Sequence, residues 1–387
     1  MLLGHILSIV WRMRNKLVLR FVVGVWLLAI ALFTYAEQQV DLYSSSTLVL
    51  NQSSQIRHQA AADALANVFV RISGNREIVK HDAIQQALAK AKSYLYEFEY
   101  SSTDEMLEIA GVKYTAIRLL TKFSARLVDG LLKSKQLPYW PTNRPDVLLW
   151  AAKADAKGGQ QFIDNDAPVT NAFTRTAKER GVTLVKPIFD LEDRLALPIS
   201  RLWASDVATI SKASARYQTD AVLSGRFSPL DKGRWRGSFT LFYQAQETSF
   251  VAYGEDVQTI AMNIFEQVAD YFSEIFTSVI DNQSSLETLV LTVNNVNDFA
   301  VYANLLSYVE SFPMVQEINL MVVKANRIQL MLHYRGAQAV VFRTLALDKH
   351  LIQIESKTDT NFSIALDSTA VPQGTVANPL QFLWHVK

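Results

Sequence analysis

The sequence predicts an α+β protein in which two or three small α+β domains follow one another. Three observations carry this. Apolar residues at period 2 and at period 3.6 occur in separate short segments along the chain. Two polar breaks, KADAKGGQQ from Lys153 and DNQSSLE from Asp281, punctuate it. Its 387 residues, 49% hydrophobic and 19% charged, are enough to bury more than one core. The expected units are residues 1–36 as an export signal, 37–152, 160–280, 285–356, and a loosely ordered tail over 357–387.

In the first unit Leu48–Leu50 reads as a short strand. Ser53 or Ser54 caps a helix whose stripe is Ile56, Leu65, Val68, Phe69 and Ile72, ending at Gly74. A second helix spans about Asp82 to Tyr94. YLYEFEY alternates from Tyr94 as a half-buried strand, and GVKYTAIRLL from Gly111 is its partner. Ser124 caps the next helix, with Phe123 and Val128 placed as a hydrophobic staple.

LPYWPTNRPDVLLWAA, Leu137 to Ala152, then brackets a turn between Pro141 and Pro145. Each proline favours extended geometry before it, and Val147–Ala152 suits a strand buried on both faces. The favoured reading is a helix-to-strand corner; Trp140 and Arg144 are the binding candidates if it also holds a ligand.

In the second unit Pro168–Arg180 reads as a helix closed by Gly181, VTLVKPIF as a strand broken by Pro187, and LEDRLALPIS as a loop. Ser205 caps a helix to Arg216; DAVLSGRF and GRWRGSFTLFYQ are neighbouring strands. A long amphipathic helix from about Glu255 to Ile280 should pack across them. The third unit reads strand, helix, strand, strand, helix, strand over Thr288–Ile354. That order predicts a ferredoxin-like βαββαβ unit: a four-stranded antiparallel sheet with two helices on one face.

The segment from Met13 has the three parts of a secretory signal: basic Arg14, Lys16 and Arg20, an apolar Phe21–Phe33, and small residues ending at Ala36, with cleavage before Glu37. Met13 is the expected start. An uncleaved anchor in the inner membrane is the alternative. Removing residues 1–36 takes away Arg12, Arg14, Lys16 and Arg20 and no acid, turning the net charge from +1 to −3. A chain without a basic field is a poor nucleic-acid binder. There is no cysteine, which excludes disulfides, thiol chemistry and thiolate metal sites.

No phosphate-binding loop, dinucleotide fingerprint or nucleophile elbow occurs. The histidines beyond residue 36, His58, His81, His333, His350 and His385, lack the spacing of a metal pair. No cofactor is implied. The acidic candidate is Asp193, beside Glu192 in a loop; its plainer role is a loop hydrogen bond or a pair with Arg194 or Arg201. Arg216, next to Tyr217, and Arg226 are anion- or sugar-binding candidates, with a solvated strand face as the plainer reading.

Several motifs, taken in order, resemble a known family: DALANVFVRISGN from Asp63, YLYEFEY, LPYWPTNRPDVLLW, KPIFDLED from Lys186, ISRLWAS with Trp203, and ARYQTDAVLSGRF. They are similar to DUF2066, exported Gram-negative proteins of unknown function, over about residues 40 to 280. The resemblance implies export and architecture, adds Trp203 as a binding candidate, and implies no reaction. The middle segment is also similar in outline to small periplasmic domains of envelope-assembly factors, such as those in curli secretion and flagellar assembly. The expectation is a non-enzymatic periplasmic protein binding another envelope protein. The alternatives are a hydrolase or transferase of an envelope glycan or lipid, using Asp193 and Arg216 in one cleft, and a membrane-tethered scaffold.

Overall fold

The computed structural model describes residues 41–155, 157–279, 285–310, 312, 314–348, 350–354 and 372–385. The expected signal and its Ala36–Glu37 cleavage point lie outside them, as does 357–371 of the expected tail. The chain is α+β, with small mixed sheets each covered by helices.

The first layer is β1 (Ser44–Val49), α1 (Ser54–Ser73), α2 (Asp82–Ala89), α3 (Ala91–Tyr94), β2 (Leu95–Ile109), β3 (Val112–Phe123) and α4 (Ala125–Ser134), with sheet order β1-β3-β2. Helix α1 starts where the Ser53 side chain accepts from the Ile56 amide at 3.3 Å and stops at Gly74 in the left-handed region. Its buried stripe includes Leu65, Val68, Phe69 and Ile72. Ser124 precedes α4 as expected, but its side chain makes no capping bond. Strand β2 runs well beyond YLYEFEY, because Ala110 and Gly111 both take positive φ and close a two-residue hairpin.

After β4 (Pro138–Tyr139) comes the central layer. It comprises β5 (Asp146–Ala154), β6 (Gln160–Phe162), α5 (Ala167–Arg180), β7 (Thr183–Val185), α6 (Leu191–Ala196), α7 (Ile199–Trp203), α8 (Val207–Ser214), β8 (Ala221–Pro229), β9 (Trp235–Tyr243), β10 (Gln246–Gly254) and α9 (Val257–Phe276). Sheet order is β10-β9-β8-β5-β6, with β7 also on β5. Strand β5 runs parallel to both β7 and β8. Its Val147, Leu149 and Ala151 pack with α5 and α9, and its Leu148, Trp150 and Ala152 with α6 to α8. Burial on both faces accounts for its unbroken apolar run.

Strand β5 is therefore the core of the second sheet, whereas the sequence assigns Asp146–Ala152 to the first unit and Lys153 and Ala154 to the linker that follows. LEDRLALPIS, read as a loop, is two short helices: Asp190 caps α6 by accepting from the Asp193 amide at 2.9 Å, a local bond that starts a turn. Strand β10, absent from the sequence reading, pairs with β9 from Gln246 to Gly254.

The last layer follows β11 (Ser278–Val279), which pairs with β4. It is β12 (Glu287–Asn294), α10 (Phe299–Glu310), β13 (Val315–Lys324), β14 (Arg327–Tyr334), α11 (Gln338–Ala346), β15 (Leu351–Gln353) and β16 (Leu380–Trp384). The βαββαβ order is present, but the sheet is five-stranded, β13-β14-β12-β16-β15, not a four-stranded antiparallel one. Strand β16 inserts between β12 and β15, parallel to the first. Leu380–Trp384 is thus core rather than loose tail, since Leu380, Phe382 and Trp384 alternate inward and are buried.

Candidate functional site

Trp140 and Arg144 form a buried corner. Arg144 stacks on the Trp140 ring at 4.1 Å and donates to five backbone carbonyls: Arg71 at 2.8 Å, Arg180 at 3.0 Å, Pro141 at 3.2 Å, and Gly181 and Trp140 at 3.3 Å. Burial pushes its guanidinium down to about 9. Arg71 does the same for the carbonyls of Asp41, Leu42, Ser44 and Glu179. Asn143 of the same loop reaches Asp348 Oδ2 at 2.6 Å, where Tyr308 also donates at 2.8 Å. The loop ties the first, central and last layers together. The Arg144 donors are spent on backbone and the Asn143 amide on Thr344 and Asp348, so the loop is a joint.

The other four candidates gather around α6 to α8. Asp193 is buried, and both its oxygens are engaged. Oδ1 accepts from Arg216 Nη1 at 2.9 Å; Oδ2 accepts from the Tyr217 hydroxyl at 2.5 Å and the Phe189 amide at 2.8 Å. Arg216 also forks onto both oxygens of Asp190, at 3.0 and 3.1 Å. That bond holds the Asp190 carboxyl below its ordinary range and raises the Arg216 guanidinium. Burial first, and then the bond to Asp193, lifts the Tyr217 phenol to about 12. Phe189 sits at φ 57°, a left-handed conformation costly for a bulky residue. The Asp193 bond and packing against Trp150 and Phe162 hold it there.

Asp193 and Arg216 are together, as a shared cleft would require. Yet the carboxylate has no oxygen lacking a partner for acid–base work, and the pair clamps α6 to the turn after α8. Arg226 likewise donates to the Trp203 carbonyl and lies 5.5 Å from the Trp203 ring, fastening α7 to β8.

The clamp presents an apolar ridge outward. Leu191 and Leu195, one turn apart on α6, are each 72% exposed, and Ile188 beside them is 67% exposed. This apolar ridge borders a polar groove at the carboxyl ends of β5 and β7. The groove lies on the β6 and β7 side of β5, between β6 and the loops that follow β5 and β7. The groove has a volume of about 660 Å³ and is lined by Lys153, Asp164, Asp166 and Arg194. An adjoining hollow of about 400 Å³ adds Lys186 and Phe189. Its charges are matched, Lys153 with Asp166 and Arg194 with Asp164 at 2.8 Å. Such a groove accepts polar surface rather than concentrating one sign of ligand. Sequence reasoning passed over this lining because only the strand order brings it together.

Among the described residues no cluster of His, Asp and Glu could hold a metal, and no helix is long and apolar enough to cross a membrane.

One family model matches the chain: a domain of unknown function, DUF8605, over residues 36–141. This replaces the resemblance to DUF2066, whose model does not match. The matched region ends in the Trp140 corner, before β5, and so covers the first layer with β4 and Trp140. No curated protein matches the chain.

Proposed function

We propose that the chain is an exported binding protein of the cell envelope, working in the periplasm by contact with another envelope protein. The observation that carries this reading is the ridge of Ile188, Leu191 and Leu195. It is an exposed apolar surface flanked by the charged Lys186, Glu192 and Arg194, the composition of a contact patch with a polar rim. The Asp193 clamp supports it, because buried polar bonds that fix so short a helix preorganise its outer face. The basic, apolar and small-residue order of Met13–Ala36 supports export.

The test uses the full chain in cells, carrying a photo-crosslinking residue at position 195. The expected result is a periplasmic chain beginning at Glu37, joined through position 195 to an envelope protein, with the adduct lost in Leu191→Asp. A chain retained in the cytoplasm, or adducts indifferent to Leu191→Asp, would overturn the reading.

A further inference from the structure

We propose that β13 is a self-association edge, across which two copies of this chain join their last layers into one continuous sheet. Strand β13 ends the order β13-β14-β12-β16-β15, so its outer edge has no partner strand among the described residues. It is ten residues long and unusually apolar for a free edge. Leu320, Met321, Val322 and Val323 are all exposed, Val323 at 63%. An edge of this kind offers unpaired backbone donors and acceptors to another strand.

The register on β14 decides which strand fits. Glu317, Asn319, Val322 and Lys324 stand opposite His333, Met331, Gln329 and Arg327, on the face away from the helices. Ile318, Leu320 and Val323 stand opposite Leu332, Leu330 and Ile328, on the helix face. The change of face between Leu320 and Val322 comes from an extra residue, Met321, which makes a bulge.

An antiparallel second copy centred on that bulge then meets its own mirror order. Glu317 faces Lys324 of the second copy, Ile318 faces its Val323, and Asn319 faces its Val322. These three pairs keep their faces, which a two-fold axis perpendicular to the sheet demands, and Leu320 meets the bulged Met321 at the centre. Without the bulge the same pairs would fall on opposite faces. A bulge ordinarily defends an edge against a straight strand; here it lies on the axis and meets its own copy.

The charges point the same way. Lys324 lies beside Arg327, and neither has an ion-pair partner among the described residues. Glu317 also makes no ion pair there, only a 3.3 Å bond from the Asn319 amide. A second copy pairs Glu317 with Lys324 at both ends of the seam. The free edge of the first sheet, β2, is the opposite case. That edge carries Glu97, Glu99, Asp104, Glu105 and Glu108 and no base, so two copies would repel across it.

The absence of native cysteine makes the test clean. Full-length chains carrying Asn319→Cys and Val322→Cys are co-expressed with different tags and mildly oxidised. Opposed positions lie about 4.5–5.5 Å apart at Cβ, close enough to bond after a small shift. Two copies of one position are offset to about 8 Å between Cα atoms, beyond disulfide reach. The expected result is a covalent dimer from the mixture and little from either variant alone. Added to both chains, Lys324→Glu or Glu317→Lys alone lowers the dimer yield roughly tenfold, by placing like charges opposite at two sites. The double swap restores it. No mixed dimer, equal yields from the single-position chains, or yields indifferent to the charge reversals would each overturn the proposal.

Discussion

Replacing Asp193 should unlatch α6 while leaving the rest of the chain folded. Asp193→Ala removes three hydrogen bonds to one carboxylate, from Arg216 at 2.9 Å, Tyr217 at 2.5 Å and the Phe189 amide at 2.8 Å. Bonds to a charged group contribute ~1.5–3 kcal/mol each, and the unpaired Phe189 amide costs ~1–3 kcal/mol. Arg216 keeps its fork on Asp190, which offsets part of the loss. The net is ~3–5 kcal/mol, the range for breaking a buried charged pair. Much of it should fall locally, because Phe189 loses the bond that holds its φ of 57°. Amide hydrogen exchange over residues 186–200 is the assay. Exchange there should quicken by roughly two to three orders of magnitude, with α9 and the last layer unchanged. Asp193→Asn keeps the shape and should show a smaller change. Equal protection in Asp193→Ala and the parent would refute the clamp, and with it the reason for a preorganised ridge.

Other expected outcomes concern stability. Burial lifts the Asp129 carboxyl from 3.8 to about 6, against the bond from the Tyr43 hydroxyl that lowers it. Its folded value lies above its unfolded one, so its contribution is present below about pH 4 and lost as pH rises through about 6. It is worth ~3 kcal/mol, and denaturant titrations across that window should lose this slope in Asp129→Asn. In Gly181→Ala the new methyl would lie 2.4 Å from Arg144 Nη1 and 2.6 Å from Arg71 Cγ, at a φ of 71°. Strain and overlap should cost ~3 kcal/mol, read as a lower Tm. Phe382→Ala should cost ~3–5 kcal/mol, because a fully buried ring leaves the last layer. Equal denaturation midpoints for it and the parent would count against the place of β16 in that core.

Local signals were read well where local forces decide. Ser53 and Gly74 bound α1 because a cap bond and a left-handed terminus are properties of a few adjacent residues. The run Val147–Ala152 announced a strand buried on both faces, and the prolines around Trp140 announced its corner. LEDRLALPIS misled because its proline and short length looked like a loop, whereas the Asp190 cap and the Arg216 fork hold two helices there. Leu380–Trp384 misled because a five-residue alternation after a polar stretch shows its worth only when a sheet has a gap of the right width.

By itself the sequence determined the α+β class, most element positions, the lack of any thiol chemistry and the near-neutral charge. These follow from composition and from periods of two and 3.6 residues. Only the tertiary structure decided that Asp193 is a clamp, that Ile188, Leu191 and Leu195 stand out together, and that β13 is an edge. Each depends on which strand lies beside which, a long-range choice set by packing whole layers, and no local pattern carries it.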